Sequence, residues 1–367
     1  MPKKITQILI EGYTSIRSAT VAIGDVTVLV GANGAGKSNF IAALELLGRI
    51  ADQGLAFEVG LRGGASALLN AAGNGARHIR LRIEADSDLA GRTDTYEATL
   101  IPAANEELVF ARETASHFEA PGSPRLIQQD FGGGHRESKL GEAVEGGLPA
   151  LDILRGCRVF HFQDTSRAAP VKRFAWASDN QALHPDAENL APLLLRLREN
   201  SPSHYKRILA AVKMNAPFFR DFVLADEGNG KVRLRWTQVD VDTVFPAEAL
   251  SDGTLRYICL ATLLLQPDPP ALIALDEPEL GLHPFAIRQL ADLIKSASTH
   301  TQIVIATQSV TLLNQFDLDD LVVVNRIEGN SEFGRPDKDR LREQKKSSSS
   351  RSWPPKHLQE SGCSRPC

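Results

Sequence analysis

A glycine-rich segment with one lysine and one serine is the part of the chain best suited to chemistry. Residues 31–38 read G-A-N-G-A-G-K-S and match the phosphate-binding pattern G-x-x-x-x-G-K-S. The glycines allow backbone N–H groups to turn inward around phosphate oxygens, and a helix beginning near Lys37 adds its positive dipole end. Lys37 would reach the β- and γ-phosphates, and Ser38 would hold Mg²⁺. The residues predicted to contact the nucleotide are Asn33, Gly34, Ala35, Gly36, Lys37, Ser38 and Asn39.

The elements around this loop argue against an accidental match to a short pattern. Residues 26–30, V-T-V-L-V, form the nearly continuous apolar run of a strand buried on both faces. Apolar side chains then recur at helical spacing at Phe40, Ile41, Leu44 and Leu47. The order strand, loop, helix is the context that a phosphate-binding loop requires, so nucleotide binding is the first predicted function.

Two carboxylates follow a second apolar strand. Residues 272–278 read L-I-A-L-D-E-P, which aims Asp276 and Glu277 at a nucleotide lying across the carboxyl ends of the strands. Asp276 would bind Mg²⁺, directly or through water, and Glu277 would orient and polarise the attacking water. A strand ending in acids at the surface is the alternative, but a phosphate-binding loop in the same chain favours a Walker B role.

A third motif, L-S-D-G-T at residues 250–254, precedes an apolar run that begins at Leu255. Ser251 or Asp252 would cap the free N–H groups of a helix start, and the same geometry binds anions. Alone, the string indicates a cap. Its position 25 residues before Asp276 favours a role at the nucleotide.

Composition bounds the class of protein. The chain has 367 residues, 43% of them hydrophobic, and a formal net charge of −4, which gives no overall electrostatic footprint for DNA. No apolar run approaches the roughly 20 residues that span a bilayer, so we expect a cytoplasmic protein with no membrane partner. The four cysteines lack paired spacing, which favours neither a zinc site nor a disulfide scaffold.

The order of the motifs predicts an α/β fold with a mostly parallel sheet, split by an insertion. We assign residues 1–50 and 245–326 to a nucleotide-binding P-loop core. Residues 51–244 are expected to form an inserted α+β lobe with antiparallel strands and a helical segment. Residues 327–367 are expected to be a disordered or aberrant tail, with a shifted reading frame near residues 342–346 as one explanation.

Four ordered strings resemble the ABC-type ATPases of the SMC and RecF class, and in particular compact bacterial RecF-like ATPases of the AAA type. The strings are GANGAGKSN, LSDGTLR, LIALDEPELGLHP and IATQS. The resemblance implies ATP and Mg²⁺ as ligands and ATP hydrolysis as the reaction. It also implies an ATP-dependent homodimer, in which Ser251, Asp252, Gly253 and Thr254 of one subunit close over the ATP held by the other.

The resemblance assigns two further residues. Gln163, at the end of a strand-like run, resembles the glutamine that senses Mg²⁺ and the attacking water, although a glutamine at a strand end is common. Gln308 stands where many ABC-type ATPases have a switch histidine. Because glutamine has no charge to offer and cannot shuttle a proton near neutrality, we expect slow hydrolysis with Glu277 and Gln308 as the catalytic pair.

The biological role follows from the resemblance alone. DNA repair or recombination is the first reading, with DNA and a repair protein as partners. The alternative is the ATPase sensor of an anti-phage defence system that controls a separate nuclease. A transporter ATPase is disfavoured, because a transporter subunit keeps the motifs around Lys37 and Ser251 much closer together.

Overall fold

The computed structural model describes residues 3–73, 75–87, 91–118, 125–142, 149–225 and 230–336. Within these ranges the chain forms seventeen strands and nine α-helices. The strands are β1 (Ile5–Tyr13), β2 (Ile16–Ala22), β3 (Val26–Val30), β4 (Ile79–Asp86), β5 (Thr93–Pro102), β6 (Leu108–Phe118), β7 (Leu126–Gly132), β8 (Cys157–Phe160), β9 (Ala175–Trp176), β10 (Phe219–Phe222), β11 (Lys231–Val232), β12 (Arg235–Gln238), β13 (Val244–Pro246), β14 (Leu272–Asp276), β15 (Gln302–Thr307), β16 (Leu321–Ile327) and β17 (Asn330–Gly334). The helices are α1 (Lys37–Ala51), α2 (Leu55–Leu61), α3 (Ala65–Leu68), α4 (Pro149–Arg155), α5 (Leu190–Asn200), α6 (Pro202–Asn215), α7 (Asp252–Leu265), α8 (Pro284–Ala297) and α9 (Val310–Leu313).

The core is a six-stranded sheet in the order β17-β16-β3-β15-β14-β8, parallel except for the edge pair β16 and β17. The predicted mostly parallel α/β sheet is therefore confirmed. Every residue of β15 is buried, because the sheet is covered on both faces. Ile303 and Ile305 pack into one hydrophobic cluster, while Val304 and Ala306 pack into the other.

Helix α1 fills the space between this sheet and a second one. The second sheet is antiparallel throughout, in the order β2-β1-β4-β5-β6-β7. Ten of the fifteen residues of α1 are buried, including Phe40, Leu44 and Leu47 of the predicted apolar stripe. The stripe and the alternating strands together form one of the two hydrophobic clusters.

Helices α5, α6, α7 and α8 cover the opposite face of the parallel sheet and share the other cluster with it. The helical segment predicted within residues 51–244 is found in α5 and α6. In the part of the chain that is described, no helix combines the length and the apolar character that crossing a membrane requires.

The sheets of the structure do not follow three of the predicted domain boundaries. Strands β1 and β2 lie in the antiparallel sheet, although we placed residues 1–50 in the nucleotide core. Strand β8 and helices α5 and α6 belong to the core, although we placed residues 51–244 in an inserted lobe. Strand β17 pairs with β16, so the core continues past residue 326. The physical reason is that an apolar run predicts a strand without saying which sheet it joins. The rest of the expected tail, from residue 337, lies outside the described residues.

Candidate nucleotide-binding site

The motif residues meet at one edge of the parallel sheet, where three adjacent strands end. Val30 of β3 pairs with Thr307 of β15, and Ala306 of β15 pairs with Asp276 of β14. The phosphate-binding loop leaves after Val30, Gln308 follows Thr307, and Glu277 follows Asp276. Because the strands are parallel and in register, all three segments open toward the same side.

The phosphate-binding loop has the backbone shape that its glycines allow. Gly34 has φ 74° and Gly36 has φ 112°, both in the left-handed region. A Cβ atom added at Gly36 would clash with the Ser331 hydroxyl, so β17 also closes around the base of the loop. Helix α1 begins at Lys37 directly after this glycine, which leaves its first N–H groups facing the loop.

The side chains of the loop point in different directions. Lys37 is buried and its ammonium donates hydrogen bonds to the carbonyls of Gly31 at 2.9 Å and Ala32 at 3.1 Å. Ser38 is exposed, and the nearby segment 32–34 is exposed as well. The amide of Asn39 donates to the Ser15 hydroxyl at 2.6 Å and so braces α1 against the turn between β1 and β2. Arg326, which no motif selected, donates to the carbonyl of Gly34 at 3.0 Å.

The acidic pair lies beside both predicted glutamines. The amide of Gln308 donates to Glu277 Oε1 at 3.1 Å, and the amide of Gln163 donates to the backbone carbonyl of Asp276 at 3.1 Å. Glu277 has φ 46°, a left-handed conformation that is costly for a residue with a side chain and is often found at functional sites. The geometry brings together Gln163, Asp276, Glu277 and Gln308.

The site offers oxygen ligands of the kind that Mg²⁺ prefers. Asp276 Oδ1 is buried and has no hydrogen-bond partner among the described residues. A buried carboxylate oxygen without a partner is unfavourable, and a cation would satisfy it. The predicted metal ligands Ser38 and Asp276 follow β3 and end β14 at the same sheet edge, so these residues fit a magnesium nucleotide.

Residues 251–254, which we call the signature segment, lie at the start of α7. The Ser251 hydroxyl accepts a hydrogen bond from the Thr254 N–H at 3.2 Å, so the predicted helix cap is confirmed. Gly253 packs against the carbonyl of Gly281, where an added Cβ would clash. Ser251 and Asp252 are exposed. Among the hydrogen bonds of the described residues, none joins residues 251–254 to the phosphate-binding loop of the same chain.

Arg256, which sequence reasoning missed, connects α7 to the acidic loop. Its guanidinium donates to the backbone carbonyl of Leu280 at 2.8 Å and to that of Gln163 at 2.7 Å. A lone arginine on an amphipathic helix gives no sequence signal for such a contact. The start of α7 is therefore tied to the segments that carry Gln163 and Glu277.

Glu279 is a second residue that the motifs did not select. Its side chain is 8% exposed, and its carboxylate accepts a hydrogen bond from the Thr307 hydroxyl. Burial raises the pKa of this carboxyl above its ordinary value, and the charge of Glu277 raises it further, while the Thr307 hydrogen bond opposes both. The one sequence feature that could have pointed to Glu279 is its position two residues after Glu277 in the string D-E-P-E.

Two family models of AAA-type domains match separate parts of the chain. A family described as "AAA ATPase domain" matches residues 4–106. A family described as "AAA domain, putative AbiEii toxin, Type IV TA system" matches residues 149–314. Among curated proteins, no match was found.

Solved structures of SMC heads are similar in fold. The SmcHead bound to the C-winged helix domain of ScpA has a TM-score of 0.64 at 18% identity, covering 93% of this chain and 99% of that one. The Smc head domain with an extended coiled coil from Pyrococcus furiosus, bound to the C-terminal domain of ScpA, has a TM-score of 0.61 at 14% identity, with coverage of 94% and 99%. The Smc head domain with a coiled coil and joint from Pyrococcus yayanosii has a TM-score of 0.56 at 12% identity, with coverage of 95% and 100%. The chain therefore has the fold of the SMC heads, and both family matches are to ATPase-type domains.

Proposed function

We propose that this chain, an ABC-type ATPase with the fold of an SMC head, binds and hydrolyses ATP and acts as an ATP-dependent dimerising switch. The observation that carries the proposal is the meeting of the phosphate-binding loop, the Asp276-Glu277 pair and Gln308 at one sheet edge. A buried lysine in a glycine-rich loop beside a strand-end acid pair is the arrangement that P-loop proteins use to hold a nucleoside triphosphate with Mg²⁺.

Each residue at this edge has a part that its position supports. The loop N–H groups and Lys37 hold the phosphates, while Ser38 and Asp276 hold Mg²⁺, with Gln163 beside Asp276. Bound Mg²⁺ neutralises charge on the phosphate oxygens. Glu277 orients and polarises the attacking water, and Gln308 fixes the Glu277 carboxylate through its amide. Because Gln308 cannot carry a proton, turnover is slow.

The dimeric part of the proposal rests on what surrounds the site. Exposed apolar side chains flank the catalytic segments: Leu280 at 45%, Phe285 at 50% and Val310 at 44%. Exposed apolar residues clustered at one edge are typical of a contact surface. Ser251 and Asp252 are also exposed near these segments. A second copy of this chain would cover the apolar side chains and would place its own residues 251–254 against the nucleotide.

For the biological role we propose an action on DNA in repair or recombination. Two of the solved SMC heads are described as bound to a partner protein, ScpA. The description of the family matched over residues 149–314 names a toxin of a type IV toxin–antitoxin system. That description is the observation behind the second candidate, an ATPase sensor in a defence system that controls a separate nuclease.

ATP turnover by the wild-type chain and by Glu277→Gln tests the proposed reaction. We expect slow phosphate release from the wild type and a loss of about a hundredfold or more in the variant, because general-base catalysis contributes roughly 10² to 10⁴. A wild-type protein that does not hydrolyse ATP, or a variant that hydrolyses ATP as fast as the wild type, would refute the proposed reaction.

Binding of duplex DNA in the presence of ATP, measured across salt concentrations, separates the two biological roles. A steep loss of affinity with salt supports action on DNA, and a flat response favours a protein partner.

A further inference from the structure

The buried acid Glu279 lies two residues after Glu277 and is not part of the proposed catalytic pair of Glu277 and Gln308. We propose that Glu279, acting through Thr307, is a positioning residue that holds Gln308 against Glu277. The inference rests on the proposed ATPase function and extends it to Glu279 and Thr307, which lie within the quoted strings but received no catalytic role in the sequence analysis.

The contact between Glu279 and Thr307 is enclosed in the protein. Glu279 is 8% exposed and Thr307 is fully buried. The Thr307 hydroxyl donates to Glu279 Oε1 and accepts a hydrogen bond from the Ser309 N–H at 2.9 Å. The hydroxyl therefore holds both ends of the three-residue segment whose middle residue is Gln308.

Stability alone does not account for a carboxylate at this place. Glu279 Oε2 is buried without a hydrogen-bond partner among the described residues, and the neighbouring Glu277 is also acidic. Burying a carboxyl with one unsatisfied oxygen costs free energy that an apolar side chain of similar size would avoid. A carboxylate at this position is explained if its hydrogen bond to Thr307 positions Gln308 for catalysis.

The loop that follows β14 and the turn that follows β15 are also joined by hydrogen bonds at Glu277. The Glu277 N–H donates to the carbonyl of Ala306 at 2.8 Å, and the Gln308 amide donates to Glu277 Oε1 at 3.1 Å. The loop after β14 and the turn after β15 are thus joined at Glu277 and again at Glu279. Gln308 is exposed, so its direction depends on the backbone that Thr307 anchors.

The expected effect is on the rate of the chemical step and not on nucleotide affinity. Neither Glu279 nor Thr307 contacts the phosphate-binding loop in the described hydrogen bonds. Removing a hydrogen bond to a charged group in the supporting network corresponds to a loss of about tenfold in kcat. The affinity for a non-hydrolysable ATP analogue should stay within about twofold.

The test compares Thr307→Val, which removes the hydroxyl at constant shape, with Thr307→Ser, which keeps it. Thr262→Val is the matched control, because Thr262 is also fully buried and its hydroxyl bonds to a backbone carbonyl within α7.

We expect Thr307→Val to lose about tenfold in kcat and to speed amide exchange in residues 303–312. Thr307→Ser and Glu279→Gln, which keep a donor and an acceptor, should retain most of the rate. The double variant Glu279→Ala with Thr307→Val should be no slower than the slower single variant.

The inference is overturned if Thr307→Val matches the wild type in kcat and in exchange, or if its loss is no larger than that of Thr262→Val. An equal loss in analogue affinity would also overturn it, since that result indicates general damage to the site. A wild-type chain that binds ATP without hydrolysing it would refute the proposed function, whereas the exchange comparison would still decide whether Thr307 and Glu279 hold Gln308.

Discussion

At the scale of single residues, the most informative side chain is a buried lysine whose charge is held by backbone carbonyls. Lys37 is 5% exposed and donates to the carbonyls of Gly31 and Ala32. A charged group is kept in such a place only when polar atoms compensate it. The same ammonium is positioned to exchange these carbonyls for phosphate oxygens.

Replacing Lys37 with alanine should weaken ATP binding about tenfold to a hundredfold, the loss expected for one or two charge-assisted hydrogen bonds. A fluorescent ATP analogue measures the change in Kd. Lys213→Ala, at an exposed position on α6, is the control and should bind as the wild type does. Equal affinities for the two variants would contradict the assignment of Lys37.

The raised pKa of Glu279 gives a pH-dependent prediction. The unfolded chain releases this proton near the ordinary glutamate pKa of about 4.3, and the folded chain releases it at higher pH. Between the two values the folded state holds more protons, so this group lowers stability as pH rises. Glu279→Gln removes the ionisation. The free energy of unfolding of this variant minus that of the wild type should therefore be more positive at pH 7.5 than at pH 4, which means that the variant is relatively more stable at pH 7.5. Urea titrations at both values measure this, and a difference that does not change with pH would contradict it.

Sequence patterns selected the residues that we propose to contact the nucleotide, but they did not select the residues that support them. Lys37 and Asp276 lie in strings whose spacing is fixed by phosphate and metal geometry. Arg256, Glu279 and Thr307 act through contacts between segments distant in the chain, and no local spacing encodes such contacts. Asn39 was selected for its place next to the loop, yet its amide bonds to Ser15.

At the scale of elements, the phosphate-binding loop depends on strands that come from both ends of the chain. Ser15, between β1 and β2, and Ser331, in β17, share a hydrogen bond of 2.6 Å directly beneath Gly36. Both the antiparallel sheet and the edge of the parallel sheet therefore meet at the base of the loop. The sequence could not place β1, β2 or β17, because alternation and apolar runs do not name a partner strand.

This packing predicts a large effect of a single methyl group. Gly36→Ala adds a Cβ against Ser331 at a backbone φ of 112°, so it should lower the free energy of unfolding by more than about 1–2 kcal/mol. Gly60→Ala is the matched control: Gly60 lies in α2, and nothing stands within 4 Å of its added Cβ. That variant should be neutral or up to about 1 kcal/mol more stable. Thermal unfolding compares the two, and equal shifts would show that Ser331 does not restrict Gly36.

At the scale of the whole molecule, three layers converge on one open edge. The turn between β1 and β2 of the antiparallel sheet, the strand ends of the parallel sheet and the start of α7 in the helical layer each lie near the catalytic segments. The edge presents the phosphate-binding loop, the acids and the start of α7, with exposed Leu280, Phe285 and Val310 around them. Motif order predicted this meeting of segments, whereas the extent of each layer depended on long-range pairing that the motifs do not describe.

The central claim is that two copies of the chain enclose ATP, and sedimentation of Glu277→Gln with Mg²⁺ and ATP tests it most directly. The variant should bind ATP without hydrolysing it and sediment as a dimer, since the bound nucleotide then joins the two copies. Ser251→Arg in the same background should bind ATP and remain a monomer. A Glu277→Gln protein that is saturated with ATP and still sediments as a monomer would contradict the account.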